Sequence, residues 1–269
     1  MEHRAVAFDG AAIEAALSEF PLGGLRVFRR LGSTNDEALI WAAAGAADMS
    51  LVIADEQTAG RGRAGRAWLT PPGTALALSM ILREEAGSED PSGRLAGLGA
   101  MAVAEACDSL GLQASIKWPN DVLLKGRKVA GVLVEAQWSG GQLQGSVIGV
   151  GVNVLRGSAP TDATVRYPAT SIEESLDRGP SRIEVLRATV SAMTAWRPRV
   201  NTQDFVRAWE RRLAFRGQEV RLIHDGRAAI AGRLDGLEQD GSLRLLARGE
   251  VIRVHMGELQ LQPTDDRMG

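Results

Sequence analysis

Residues Gly60-Arg61-Gly62-Arg63-Ala64-Gly65-Arg66 put three arginines and three glycines into seven positions. A guanidinium is a fixed fork of donors that fits phosphate and carboxylate oxygens. Glycine lets the backbone approach a ligand closely or take positive φ. Such a stretch can close over an anionic small molecule, although a solvated basic turn has the same composition. It is not a Walker loop, because the Gly-Lys-Ser/Thr ending is missing. A second cluster is Lys117-Trp118-Pro119-Asn120-Asp121, followed by Lys128. Pro119 pushes Trp118 toward extended geometry and ends its strand, so Asn120 and Asp121 stand at the strand's mouth. A carboxylate beside an asparagine suits Mg²⁺ and its waters, and a flanking lysine could neutralise a carboxylate or a phosphate. Asp121 capping a turn between two surface lysines is the simpler alternative.

Two further groups are uncharged. Ser33-Thr34-Asn35 precedes a helix-forming run, and Thr34 with Glu37 has the spacing of a capping box. The free amides of a helix start, the Ser33 hydroxyl, and Gln57 as donor and acceptor could together read a neutral polar head such as a urea. Trp68 either packs in the core or stacks on a planar base. Gly149-Val150-Gly151 lets a strand pass close to a ligand, and Asn153 sits at the end of that strand.

These groups need elements to position them. Helices are expected over 10–20, 38–44, 93–110, 182–196 and 203–214 from apolar spacing and helix propensity. Strands are expected over 25–29, 51–54, 74–82, 115–118 and 145–154, with a hairpin of 122–124 and 129–136 about the turn Lys125-Gly126-Arg127. Residues 56–73 and 155–180 read as loops. Composition shifts near Arg216-Gly217. Short β patterns then alternate with turns at Asp225-Gly226, Asp240-Gly241 and Arg248-Gly249, as a five-stranded barrel would. The fold class is α+β: a mixed, mostly antiparallel sheet flanked by helices, with a small C-terminal β-barrel. The expected domains are 1–215 and 216–269.

Of the 269 residues, 45% are hydrophobic and 24% charged, as in ordinary globular proteins. A net charge of −2 gives no basic excess for nucleic acid. Cys107 is the single cysteine, so an intrachain disulfide and a cysteine metal cluster are excluded, and its helical neighbourhood makes it a buried structural thiol. His3, His224 and His255 have no metal-ligand spacing. No run of eighteen apolar residues suggests a membrane span, and Met1–Arg4 leads into no signal core. The expectation is a cytoplasmic protein with no membrane or nucleic-acid partner.

The order of motifs is more specific than any one of them. Ser33-Thr34-Asn35, then Gln57 through Trp68, then Lys117 through Asp121, then Arg127-Lys128-Val129-Ala130-Gly131-Val132-Leu133-Val134-Glu135, then Gly149 through Asn153 resembles the biotin–protein ligases. The resemblance covers about residues 25–262. It implies ATP-dependent formation of biotinyl-5′-AMP, then transfer to one lysine of a biotin carboxyl carrier domain, usually of acetyl-CoA carboxylase. By resemblance, Ser33, Thr34, Asn35, Gln57, Gly60, Arg61 and Gly131 hold biotin, with Lys128 on its carboxyl. Arg63, Arg66, Trp68, Lys117, Asn120 and Asn153 surround the nucleotide, with Arg61 also lying over the phosphates. Lys128, Arg63 and Asp121 serve the reaction, and Asp121 holds Mg²⁺. Pro168-Ala169-Thr170-Ser171 resembles a further family element near the nucleotide. The family also implies a homodimer through the main sheet. Many members carry an N-terminal winged helix-turn-helix; about 24 residues precede the catalytic pattern here, too few for that module. The expectation is a ligase without repressor function. Lipoate or octanoate transfer on the same fold is the runner-up, disfavoured by the pairing of Gln57 with the arginine loop. A non-catalytic biotin sensor is the alternative from another class.

Overall fold

The computed structural model describes residues 9–83, 92–139, 142–160, 167–176, 178–224 and 227–261. The expected turn at Asp225-Gly226, together with His3 and the first residues, lies outside them. The chain opens with helix α1 (Gly10–Leu17), whose N-terminus is capped by the Asp9 carboxylate accepting from the Ala11 amide. Its Ile13 and Leu17, four residues apart on one face, are buried. Strand β1 (Gly24–Leu31) and helix α2 (Thr34–Ala43) follow, and α2 stops where Gly45 takes φ +89°.

A seven-stranded sheet is completed by β2 (Ser50–Gln57), β3 (Ala75–Leu82), β4 (Ala114–Lys117), β5 (Asp121–Leu124), β6 (Arg127–Ser139) and β7 (Gln142–Asn153). Its strand order is β1-β2-β3-β7-β6-β5-β4. Only β1–β2 is parallel, so the sheet is mixed and mostly antiparallel. Helices α3 (Ser92–Ser109), α4 (Arg182–Trp196) and α5 (Gln203–Arg211) complete the larger unit. Alternation along the strands divides the sheet into two faces. Leu76, Leu78, Met80 and Leu82 of β3 and Ile148, Val150 and Val152 of β7 join α3 and α4 in the main core. The opposite face carries Ile81 and Val147 under Ala38 and Ala42 of α2. On that second face α2 covers one end only, and the glycines of β6 and β7 fall beside it.

The C-terminal strands are β8 (Glu219–His224), β9 (Arg227–Leu237), β10 (Leu243–Ala247), β11 (Glu250–Val254) and β12 (Glu258–Leu261). They form one antiparallel sheet in the order β11-β10-β9-β8-β12, a small β domain of the expected five strands. The turn at Arg248-Gly249 has positive φ at both residues, as a two-residue hairpin requires. This unit is docked by aromatic residues of the larger one. The Trp118 indole donates to the Gly241 carbonyl at 2.9 Å, and Trp209, fully buried, lies against both Gly97 and Gly241.

Two local expectations are corrected. Thr34 is not a capping residue: Ser33 takes the N-cap place without a side-chain bond, and the Thr34 hydroxyl lies between Gln57 and Ser79 instead. Glu37 therefore closes no capping box; its carboxylate pairs with Arg26 at 2.7 Å. A long-range partner has won over the local one. Helix α5 also ends at Arg211, before the expected 214, because the Leu213 segment forms a bridge with Ile116 of β4.

Candidate active site

A cavity of about 480 Å³ opens on the α2 face of the large sheet. Ser33, Thr34, Asn35, Gln57, Arg61, Arg63, Arg66, Trp68, Lys117, Asn120, Asp121, Lys128, Gly131 and Asn153 all line it. Of the residues expected to hold a ligand, Gly60 stands apart. It is buried behind the loop, its carbonyl accepting from the Trp68 amide, and a Cβ there would meet the Trp68 carbonyl at 2.4 Å.

One end of the cavity is uncharged. Gln57 Oε1 accepts from the Thr34 amide at 2.8 Å and lies 3.0 Å from the Thr34 hydroxyl oxygen, while its Nε2 donates to Thr70 at 3.0 Å. Behind them the Ser79 hydroxyl touches Thr34 Oγ1 at 2.8 Å and Asn35 Oδ1 at 2.6 Å. The floor here is glycine for steric reasons: a Cβ on Gly149 would stand 2.1 Å from Asn35 Oδ1, and one on Gly151 2.3 Å from the Trp68 ring. Trp68 thus lies across Gly151 and Gly131, with the Lys128 ammonium 5.6 Å from its ring centre.

Arg61 lies at the boundary, and two carboxylates hold it. It donates to both Asp36 oxygens at 2.6 and 2.7 Å and to Glu135 at 3.1 Å. The Asp36 hydrogen bond, with help from Glu135, raises its basicity further. Asn35 Nδ2 donates to the same Glu135 at 2.7 Å. The base of the arginine loop is therefore tied to α2 and β6. Its tip is folded too: Ala64 and Gly65 have positive φ, and Arg61 bridges Ala67.

The other end is charged. Lys128 Nζ meets Asp121 at 2.5 Å, and the buried Lys117 Nζ lies 3.6 Å from Asp121, 3.8 Å from Glu258 and 4.6 Å from the Tyr167 ring centre. Burial pulls the Lys117 ammonium below the ordinary lysine range, against the pull of both carboxylates. Burial also lowers Arg63, which reaches Asn120 Oδ1 and the Gly257 carbonyl. Arg66 meets Glu258 at 3.2 Å. Asn120 bonds Val132 and Arg63, and Asn153 Nδ2 bonds the Thr170 carbonyl while its buried Oδ1 has no partner. The 168–170 segment pins the Lys128 backbone: the Lys128 amide donates to Pro168, and the Thr170 amide to Lys128.

The cavity is lined by Glu258 and Tyr167 and backed by Ser79 and Glu135, none of which was given a role from sequence. Ser79 is the one polar residue inside an apolar strand, and Glu135 ends an apolar run; both were signals. Glu258 and Tyr167 gave none, since their place depends on how the second sheet docks and how the 168–170 segment returns. For a resident Mg²⁺ the donors are poor. Among the described residues no three His, Cys, Asp or Glu side chains gather, and Asp121 is already shared by two lysines.

Comparison with known proteins bears on the family and the fold. The model of the biotin/lipoate A/B protein ligase family matches residues 27–153. The chain is 36% identical to a biotin–[acetyl-CoA-carboxylase] ligase of Paracoccus denitrificans, over 80% of this chain and 91% of that one. It is 31% identical to the ligase of the same name from Mycobacterium tuberculosis, over 87% and 88% of the two chains. A structure of the Aquifex aeolicus biotin protein ligase in complex with biotin and ATP superposes with a TM-score of 0.73, at 27% identity, covering 89% of this chain and 98% of that one. This chain belongs to the biotin protein ligases of the biotin/lipoate A/B protein ligase family.

Proposed function

We propose that this protein is an ATP-dependent biotin–protein ligase acting on a biotin carboxyl carrier domain, in the first instance that of acetyl-CoA carboxylase. The observation that carries the reading is the order of chemistry along one cavity. A neutral donor–acceptor site stands at one end, a lysine beside a carboxylate in the middle, and arginines at the other end. Biotin has the same order: a neutral urea head, an apolar chain and a carboxylate.

In this reading Thr34, Asn35 and Gln57 take the urea head, with Ser33 at the helix start, and Trp68, expected from sequence beside the nucleotide, lies over Gly131 and Gly151 and walls the apolar chain as well. Lys128 receives the carboxylate. A carboxylate oxygen attacks the α-phosphorus of ATP, the bond to the β-phosphate breaks, and pyrophosphate leaves. Two anions must meet, so preplaced cations lower the barrier. Lys128 and Lys117 serve the reacting groups, and Arg63 and Arg66 the phosphates. Asp121 keeps both ammonium groups in place. Asn120 and the unpartnered Asn153 oxygen border the nucleotide. Mg²⁺ supplies charge neutralisation on the phosphates when it arrives with ATP. In the second step the carrier lysine amine attacks the acyl carbon, the mixed anhydride C–O bond breaks, and AMP leaves. The arginine loop keeps water off that anhydride.

The division at 215/216 separates the catalytic unit from a small β unit that lends Glu258 and the Gly257 carbonyl to the site. Among the described residues no helix is long and apolar enough to cross a membrane, and a cytoplasmic ligase, dimerising through its main sheet, is consistent with the family. The test is pyrophosphate release from Mg²⁺-ATP with biotin, lipoate or octanoate, with and without a carrier domain. Biotin-dependent release with mass added to one carrier lysine supports the reading. Release with lipoate or octanoate alone overturns the substrate, and no release with any acid overturns the enzyme.

A further inference from the structure

The uncharged end of the cavity contains a chain of oxygens that can be counted. Gln57 Oε1 stands at one end and Asn35 Oδ1 at the other. Between them are two hydroxyls, Thr34 and Ser79. The contacts are Gln57–Thr34 at 3.0 Å, Thr34–Ser79 at 2.8 Å and Ser79–Asn35 at 2.6 Å. The orientation of both amides follows from their other partners. Gln57 Oε1 also accepts the Thr34 backbone N–H, so it is the oxygen. Asn35 Nδ2 donates to the Glu135 carboxylate and the Leu133 carbonyl, so the atom facing Ser79 is the oxygen. Amide oxygens only accept, and each hydroxyl has one proton to give. Three contacts share two protons.

We infer that Ser79 is a positioning residue for substrate recognition: it makes the Gln57–Thr34–Ser79–Asn35 chain one proton short, so that the site demands an N–H donor from the bound head. This rests on the ligase reading and specifies what in biotin is recognised. Ser79 is fully buried and does not line the cavity, whereas Thr34, Asn35 and Gln57 do. Ser79 therefore acts through its neighbours. The shortest contact, Ser79–Asn35, takes the Ser79 proton. The Thr34 proton then turns toward Ser79, leaving oxygen against oxygen at Thr34 and Gln57, the longest contact and the one that faces the cavity. A urea N–H placed there supplies the proton this contact lacks once the bound head has covered the half-buried Gln57 and displaced solvent. A head that offers only acceptors, such as a cyclic ester or a disulfide ring, leaves that contact without a proton. The chain thus discriminates against lipoate-like heads without a steric block, since unpaired buried polar groups reject a ligand more strongly than a missing methylene does.

The test compares biotin with the two biotin analogues N-methylated on the urea, each lacking one N–H, in biotin-dependent ATP–pyrophosphate exchange. Wild type, Ser79→Ala and Ser79→Cys are run side by side. Removing the Ser79 hydroxyl leaves one hydroxyl proton for the one remaining Thr34–Gln57 contact, so the shortened chain no longer needs a donor there. For at least one isomer, methylation should raise KM thirtyfold or more in wild type and less than fivefold in Ser79→Ala. The steric cost of the methyl group is common to both enzymes and cancels in the ratio. Ser79→Cys, which keeps a donor and the chain length, should keep most of the wild-type penalty, and it carries the comparison if Ser79→Ala fails to fold. Equal penalties in wild type and Ser79→Ala, or a Ser79→Cys penalty near zero, overturn the inference. Wild type that shows no exchange with biotin itself overturns the ligase reading instead.

Discussion

At the Thr34 end of the cavity the polar atoms are uncharged, buried and bonded to one another, whereas at the Lys117 end four cations face two carboxylates. The difference separates two tasks. A neutral head is recognised by fixed donors and acceptors that hold one another in place and leave one contact for the head to complete, so that end is built once and stays. An anion is recognised by charge, and charges in an empty site need temporary partners. Asp121 and Glu258 fill that role, with the excess of positive charge left for the phosphates. Arg61, clamped by Asp36 and Glu135, marks where one arrangement gives way to the other.

If the comparison is right, the charged end carries the rate and the neutral end carries the affinity for the acid. The largest effect is expected at Lys128. Lys128→Met removes the ammonium that meets Asp121 and, in the ligase reading, receives the carboxylate of the acid. Pyrophosphate release should fall by about 10²–10³, the size of losing one preorganised charge stabiliser. A rise in the biotin KM alone, with the turnover rate unchanged, would put Lys128 at the wrong end. Gly149→Ala tests the neutral end. Its Cβ would stand 2.1 Å from Asn35 Oδ1, which Ser79 and Glu135 hold in place. Relaxing such an overlap costs about 1–3 kcal/mol, so KM for biotin should rise roughly 5- to 150-fold while KM for ATP moves little. Equal changes in both would mean that the two ends are not separable.

A smaller effect is expected at the loop tip. Arg63→Gly removes the reach to Asn120 and the Gly257 carbonyl while leaving the Arg61 clamp intact. Adenylate should still form within about tenfold of the wild-type rate. It should escape, so bystander lysines on an unrelated protein become biotinylated. Adenylation without added bystander labelling would show that the loop does not need its tip to retain the intermediate.

How much of this was legible from sequence follows the same division. The residues that act through type and spacing were visible: the arginine loop, the Lys117–Asp121 cluster, Lys128, and Gln57 with Ser33-Thr34-Asn35. The strands were visible as well, because alternation and turn residues are local. The capping box failed because Thr34 meets partners far away in sequence, its amide donating to Gln57 23 residues on and its hydroxyl against Ser79. Ser79 and Glu135 left a faint signal, each a polar residue in an apolar strand, with no hint of what it would meet. Glu258 left none. It reaches Lys117 and Arg66 only because Trp118 and Trp209 seat the second sheet beside the first. Docking of one sheet on another depends on shape over the whole contact and has no short signature.

The smallest expected effect is in pH dependence, and it sharpens the comparison because only one end should respond. Burial holds the Lys117 ammonium below the usual lysine range. As pH rises, Lys117 loses its proton before a surface lysine does, and the nucleotide end loses a cation while the neutral end keeps every bond. KM for ATP should rise about two- to fivefold through the alkaline range, by an exposed-to-partly-buried charge effect, with KM for biotin flat. Lys117→Arg, whose guanidinium stays charged, should remove the rise. Stability should move the other way. A lysine whose folded pKa lies below its unfolded value binds more protons when unfolded, so its contribution to stability improves as pH climbs from the folded value toward 10.5. Cys107 runs opposite: burial pushes its thiol up to about 12, so stability is lost as pH rises from 9 toward that value. Comparing Tm in wild type and Lys117→Met cancels the cysteine and leaves the lysine. A Tm difference that is constant with pH, or a biotin KM that rises together with the ATP KM, would place the titrating group elsewhere and erase the contrast between the two ends.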